Sequence, residues 1–213
     1  MTWELVVLLG WGAVMTAALS IVSITVGLAI GVLICAASLS RVAPLKWFGR
    51  VYVSFFRGVP LLVLLLLIYH VLPQLGLDVP GVVAALIGLT LCTSAYQAET
   101  LRGGFVNVAP GLMEAGRMVG LNARQILLRI RAPIALRLTL PALVNEAIMI
   151  LKASSLVSVV GVGDLTRTAQ NLASSTFLPL EMFAVAGAYY LLLNIVVGYG
   201  GSGLGRLLGL RPA

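Results

Sequence analysis

Apolar residues along this chain come in long unbroken runs, not in the alternation of a half-buried strand or the period of a surface helix. No Asp, Glu, Lys or Arg interrupts Leu5 to Ser40, Gly58 to Leu77, Val79 to Ala98 or Met182 to Gly205. A helix needs about 20 such residues to cross the hydrocarbon layer, so each run predicts a membrane span. A fifth stretch, Leu138 to Val160, is apolar apart from Glu146 and Lys152, and charge is tolerated in a span that turns it toward protein. The pattern predicts an all-α membrane protein with five transmembrane helices, near residues 11–39, 57–76, 80–100, 138–160 and 182–205, forming one domain over 1–213.

Composition agrees. The 213 residues are 60% hydrophobic and 10% charged, where a soluble domain carries about 25% charge. Disorder is excluded by the same figures, and five spans leave no length for a large extramembrane domain. The net charge of +7 would suggest nucleic acid in a soluble protein. Its distribution gives a different cause. Alternating the spans puts residues 41–57, 99–137 and the tail after Gly205 on one side, with 12 of the 14 cations: Arg41, Lys46, Arg50, Arg57, Arg102, Arg117, Arg124, Arg129, Arg131, Arg137, Arg206 and Arg211. Only Arg167 falls on the other side. Basic loops stay in the cytoplasm, so the N-terminus is expected outside and the C-terminus inside, in a multi-pass membrane protein with no nucleic-acid partner. The chain opens with Glu4 and then runs uncharged, unlike a cleaved signal peptide with its basic start and shorter apolar core.

Little on the chain points to catalysis. Cys35 and Cys92 both lie in apolar runs and read as small core residues. His70 is the sole histidine, which leaves a metal cluster or catalytic dyad without a second imidazole. Neither Lys46 nor Lys152 follows a glycine, so the end of a phosphate-binding loop is absent and no cofactor site is expected on this chain. Gly198, Gly200 and Gly203 fit a dinucleotide fingerprint in spacing only, since no strand precedes them. They read instead as close-packing glycines, as do Gly27 with Gly31 and Gly201 with Gly205.

Glu146 and Lys152 are the exceptions, because a charge inside a span costs about 2.5–3.5 kcal/mol on insertion scales. Six residues apart, they are separated by about 9 Å of rise and do not form a same-face pair. Each needs a partner elsewhere, and either a helix-packing role or a functional one fits.

The basic side also carries the longest connector, Asn107 to Pro133, where Glu114, Arg117, Arg124, Arg129 and Arg131 interleave with apolar residues. Gly120 permits the positive φ that ends one short amphipathic helix and starts the next. An interfacial helix on anionic lipid and a docking element both suit this pattern. Glu114-Ala115-Gly116, Gly120, Ile130 and Pro133 resemble the EAA loop of ATP-binding cassette importer permeases, written E-A-A, three residues, G, nine residues, I-x-L-P. Gly116 replaces the second alanine and Ala132 the leucine. Further blocks, Phe56-Arg57-Gly58-Val59-Pro60, Ala95-Tyr96-Gln97-Ala98-Glu99, Asn145-Glu146 and Leu151-Lys152-Ala153-Ser154-Ser155, are similar to the polar-amino-acid branch of that family.

The resemblance implies one half of an importer for an amino acid or close derivative. A second permease chain, identical or paralogous, would complete the passage. Two ATPase subunits, holding ATP and magnesium, would dock on the loop through Glu114, Ala115, Gly116, Arg117, Gly120, Ile130 and Pro133, and an extracytoplasmic binding protein would deliver substrate. Positions similar to the family's substrate tier are Leu66, Thr93, Ala153 and Ser154, with Cys92 beside them and Lys152 a candidate for the substrate carboxylate. Many relatives carry a carboxylate where this chain has Ala153, so a neutral, acidic or apolar amino acid is expected here. A small ion channel or secondary carrier using Glu146 and Lys152 is the rival reading; a channel has no need of so long a docking loop.

The orientation is testable. A reporter fused after Ala213 is expected to be cytoplasmic and one fused before Met1 external, and access of an external protease to the C-terminus would overturn the five-span count.

Overall fold

The structure is a computed structural model and describes residues 3–207; Arg211 and the two chain ends lie outside the described residues. Helix α1 (Trp3–Ser38) is followed by α2 (Ala43–Gly58), α3 (Leu61–Gln74) and α4 (Gly81–Val106). Then come the short α5 (Pro110–Met118) and α6 (Ala123–Ile126), a π turn over Leu127–Arg131, α7 (Ala132–Ala153), a 3-10 stretch over Ser154–Val160, α8 (Leu165–Thr176) and α9 (Pro179–Leu207). No strand occurs among the described residues. Four helical stretches are long and apolar enough to cross a membrane, or five when the bent pair α2–α3 is counted as one.

The second crossing departs most from its sequence pattern. Residues 41–57, expected as a connector, form α2, and α3 has only 14 residues, about 21 Å of rise against a hydrocarbon layer of about 30 Å. The two helices meet at an angle of 102°. Pro60 cannot continue a helix from α2 because its nitrogen carries no hydrogen and its ring restricts the residue before it, and Val59 is accordingly extended. The fourth span also differs: the helix is continuous from Ala123 to Val160 and so begins about 15 residues before the expected Leu138.

Helices α1 and α4 lie side by side and parallel. Gly27 faces Thr93 and Gly31 faces Ser94 and Ala98: a Cβ at Gly31 would sit 3.0 Å from the Ser94 carbonyl oxygen and 3.3 Å from the Ala98 nitrogen. Dispersion over such close contact substitutes for the hydrophobic driving force that is missing between helices in lipid. Helix α3 packs against α4 at Leu65, Ala85 and Leu89, joined by Leu19 of α1 and Ile150 of α7. Helices α7 and α9 pack where Gly201 lies against Val144.

At the N-terminal end of α1 a separate cluster joins Leu9, Ala13, Leu165, Ala169 and Met182, so α8 and the start of α9 brace α1. Asp164 is fully buried here. It caps α8 by accepting from the Thr166 and Arg167 amides, while the Leu165 amide donates to Thr16 Oγ1 of α1. Burial pushes its carboxyl upward and the backbone donors pull it back.

Gly31→Val should open the α1–α4 seam, since its branches meet backbone that cannot retreat; overpacking of this kind costs about 1–3 kcal/mol. Thermal unfolding in detergent measures it, and an unchanged midpoint would contradict the packing described.

Candidate functional site

Two regions bring the sequence-singled residues together. The first is a cavity of about 160 Å³ between α3, α4 and α7, walled by Leu61, Cys92, Tyr96, Glu146 and Ala153 among others, with Val59 and Pro60 of the break between α2 and α3 also in its wall. The lining is chiefly apolar with few polar groups, the usual character of a small-molecule site. Glu146 accepts from the Thr100 hydroxyl through Oε1, whereas its buried Oε2 has no partner among the described residues. Arg57 stands beside the wall, its guanidinium 5.1 Å from the centre of the Tyr96 ring.

Of the six passage positions read from the sequence, Cys92 and Ala153 line this cavity. Thr93 and Ser154 do not. Thr93 is buried against Gly27 of α1, and Ser154 is buried with its hydroxyl toward Ser20 of α1, 3.4 Å away. Both lie on faces of their helices that pack on α1. Leu66 is half-buried and Lys152 is exposed on this chain, neither in the cavity wall. Tyr96 and the Val59–Pro60 break, which lie in the blocks that carry the family resemblance, also line the cavity without having been singled out as passage residues; the proline, a helix breaker, was the available signal.

The second region is the connector. Helix α5 ends in a paired turn: the Leu121 amide reaches the Gly116 carbonyl at 3.0 Å and the Gly120 amide the Arg117 carbonyl at 2.9 Å. These two bonds require the left-handed backbone found at Gly120, φ +81°, which only glycine adopts without strain. Asn122 then caps α6 in a reciprocal bond pair with Gln125, at 2.9 and 2.8 Å. The two helices anticipated on either side of Gly120 are both present.

Gly116 is buried against Ile126 and Ile130, and a Cβ there would approach the tip of Ile130 at 2.9 Å. Glu114, Ala115 and Arg117 stay exposed around it. One apolar edge of α5 thus fastens to the start of the fourth span while its charged edge is free. Pro133 follows the π turn; its ring crowds the carbonyl four residues earlier, and the wider turn, with the Ala132 amide reaching Leu127, relieves the crowding. Arg131 ties the turn to α4, donating to the Phe105 carbonyl at 3.0 and 3.3 Å.

Residues 23–200 match the model of the family described as binding-protein-dependent transport system inner membrane component. The chain is 34% identical over 181 residues to the probable glutamine ABC transporter permease protein GlnM of Bacillus subtilis, covering 85% of this chain and 84% of the relative. It is 32% identical to the arginine transport system permease protein ArtQ of the same organism, covering 92% and 90%. Against the octopine transport system permease protein OccM of Rhizobium meliloti the identity is 35%, covering 91% and 83%. Among solved structures, a crystallised amino acid ABC transporter with histidines superposes with a TM-score of 0.87 at 36% identity, covering 93% of both chains. The inward-facing MetNI methionine ABC transporter shares the fold, with a TM-score of 0.77 at 23% identity, covering 98% and 99%. A family match over most of the chain, an all-helical fold with four to five candidate crossings and the Glu114 to Pro133 connector converge: this chain belongs to the binding-protein-dependent inner membrane components and is a permease subunit of an amino-acid ABC importer.

Proposed function

We propose that this chain, paired with a second permease, carries an amino acid or close derivative inward across a bacterial inner membrane. ATP would be hydrolysed on two partner subunits docked at α5 and α6, and substrate would be handed over by an external binding protein. The observation that carries the reading is the continuity of α6, the π turn and α7: one helical rod leads from the exposed connector to Glu146, Ile150 and Ala153 in the cavity wall. A push on α5, fastened through Gly116 to Ile126 and Ile130, moves that rod, and alternating access follows from motion imposed outside the membrane. A channel would leave this exposed, rigidly turned connector without a task.

The cavity favours a neutral amino acid over a cationic one. The free oxygen of Glu146 suits the α-ammonium group, and Arg57, over the Tyr96 ring of the wall, suits the α-carboxylate. With alanine at 153, no second carboxylate in the wall remains for a guanidinium side chain, and an unpaired buried charge costs several kcal/mol.

Uptake should stop in Glu114→Lys, which alters only an exposed side chain, and in Gly120→Pro, which removes an amide donor and forbids φ +81°, at a local cost of about 3 kcal/mol or more. Both variants should still assemble in the membrane. Normal substrate-stimulated ATP hydrolysis and uptake in both would refute docking at this loop.

In reconstituted vesicles glutamine should compete for uptake well ahead of arginine, and Ala153→Asp should raise arginine transport. A strong preference of the unaltered protein for arginine would overturn the assignment of the cavity.

A further inference from the structure

Helix α2 is divided into three faces. Gly49 and Val53 are buried, with Tyr52 and Phe56 half-buried beside them; a Cβ at Gly49 would fall 2.9 Å from the Ser38 amide nitrogen at the end of α1, and the Tyr52 hydroxyl meets Ser94 of α4 at 2.6 Å. Lys46, Arg50 and Ser54 follow at four-residue intervals along a second, exposed face. Trp47, Phe48, Val51 and Phe55 form a third face, apolar and exposed, with Trp47 68% accessible. Burial against α1 and α4 therefore accounts for only one of the three.

The remaining two have a common explanation. Helix α2 starts beside the last turn of α1 and bends by 102° from α3, which runs along α4, so its axis lies across the spans instead of along them. Basic and apolar strips side by side on a helix lying across the bundle are what the boundary between headgroups and acyl chains accommodates. Arg41, just before α2, is also exposed, and no acidic residue occurs between Glu4 and Asp78. The three shallow cations consequently have no carboxylate of their own segment to pair with. Phosphate oxygens of lipid would complete them, while Trp47, Phe48 and Val51 enter the acyl region.

We propose that Arg41, Lys46 and Arg50 form a binding site for the headgroup phosphate of an anionic phospholipid, with α2 lying in the cytoplasmic leaflet. The site has a route to transport, because α2 ends at Arg57 over Tyr96 and leads directly into Val59 and Pro60 of the cavity wall. Lipid held on its shallow end fixes the angle of α2 and hence the position of that part of the wall.

The test uses the full permease in complex with its ATPase, in nanodiscs of phosphatidylglycerol or of phosphatidylcholine. Native mass spectrometry should show phosphatidylglycerol retained by the unaltered complex and lost from Lys46→Gln/Arg50→Gln. Each neutralised cation weakens retention about fivefold, about 25-fold for the pair. ATPase activity should rise in phosphatidylglycerol for the unaltered complex only, with equal activity of both in phosphatidylcholine and equal thermal midpoints in detergent. Undiminished retention by the double variant would overturn the proposal, as would crosslinking of Trp47→Cys between two permease copies, which would assign this face to a partner chain. Because retention is read without transport, it stands or falls separately from the importer reading.

Discussion

The close approach of α1 and α4 is the contact on which the other helices depend. Gly27 and Gly31 bring two backbones together without intervening side chains, and the pair then presents fixed flanks to everything else. Helix α3 lies on one flank through Leu65 and Gly88, α7 on another through Thr139 and Thr100, and α2 wedges under both through Gly49 and Tyr52. Cys92 and Tyr96 become one wall of the cavity because Thr93, their neighbour, is committed to α1. Small residues therefore decide which polar side chains line the passage and which are consumed in packing.

Much of this was legible in the residues. The first, third and fifth long apolar helices followed from charge-free length, and the turn at Gly120 from the conformation that glycine allows. The helical nature of α2 was not, because four cations in 17 residues look like a loop when the reader expects spans to be uncharged. The signal lay in Lys46, Arg50 and Ser54, four residues apart and so on one helical face, distinct from the face of Gly49, Tyr52, Val53 and Phe56. Nor could the facing of Thr93 and Ser154 be read. A run apolar on every side has no periodicity to mark which face meets protein, so direction was settled by contacts with α1 distant in sequence.

The connector and the cavity are joined by material that resists bending. A paired C-terminal turn, a reciprocal cap and the Arg131 bonds to Phe105 leave few free backbone groups between Leu112 and Pro133. The one irregular register, the π turn, sits where the proline demands it and not where a hinge would be useful. Under the proposed docking, displacement applied at α5 would pass along this helical rod to α7.

The brace at the start of α1 has its own consequence for where water can go. At 36 residues, α1 rises about 54 Å, well beyond the hydrocarbon thickness, and its first turns expose Trp3 and Trp11. Helix α8 stands against those same turns yet exposes Arg167, Gln170, Asn171 and Ser174. Groups of that polarity require water or polar partners, whereas the tryptophan flank is at home against lipid. The two flanks of this three-helix column therefore call for different surroundings: apolar along the tryptophan side of α1, and water or polar protein along the exposed side of α8.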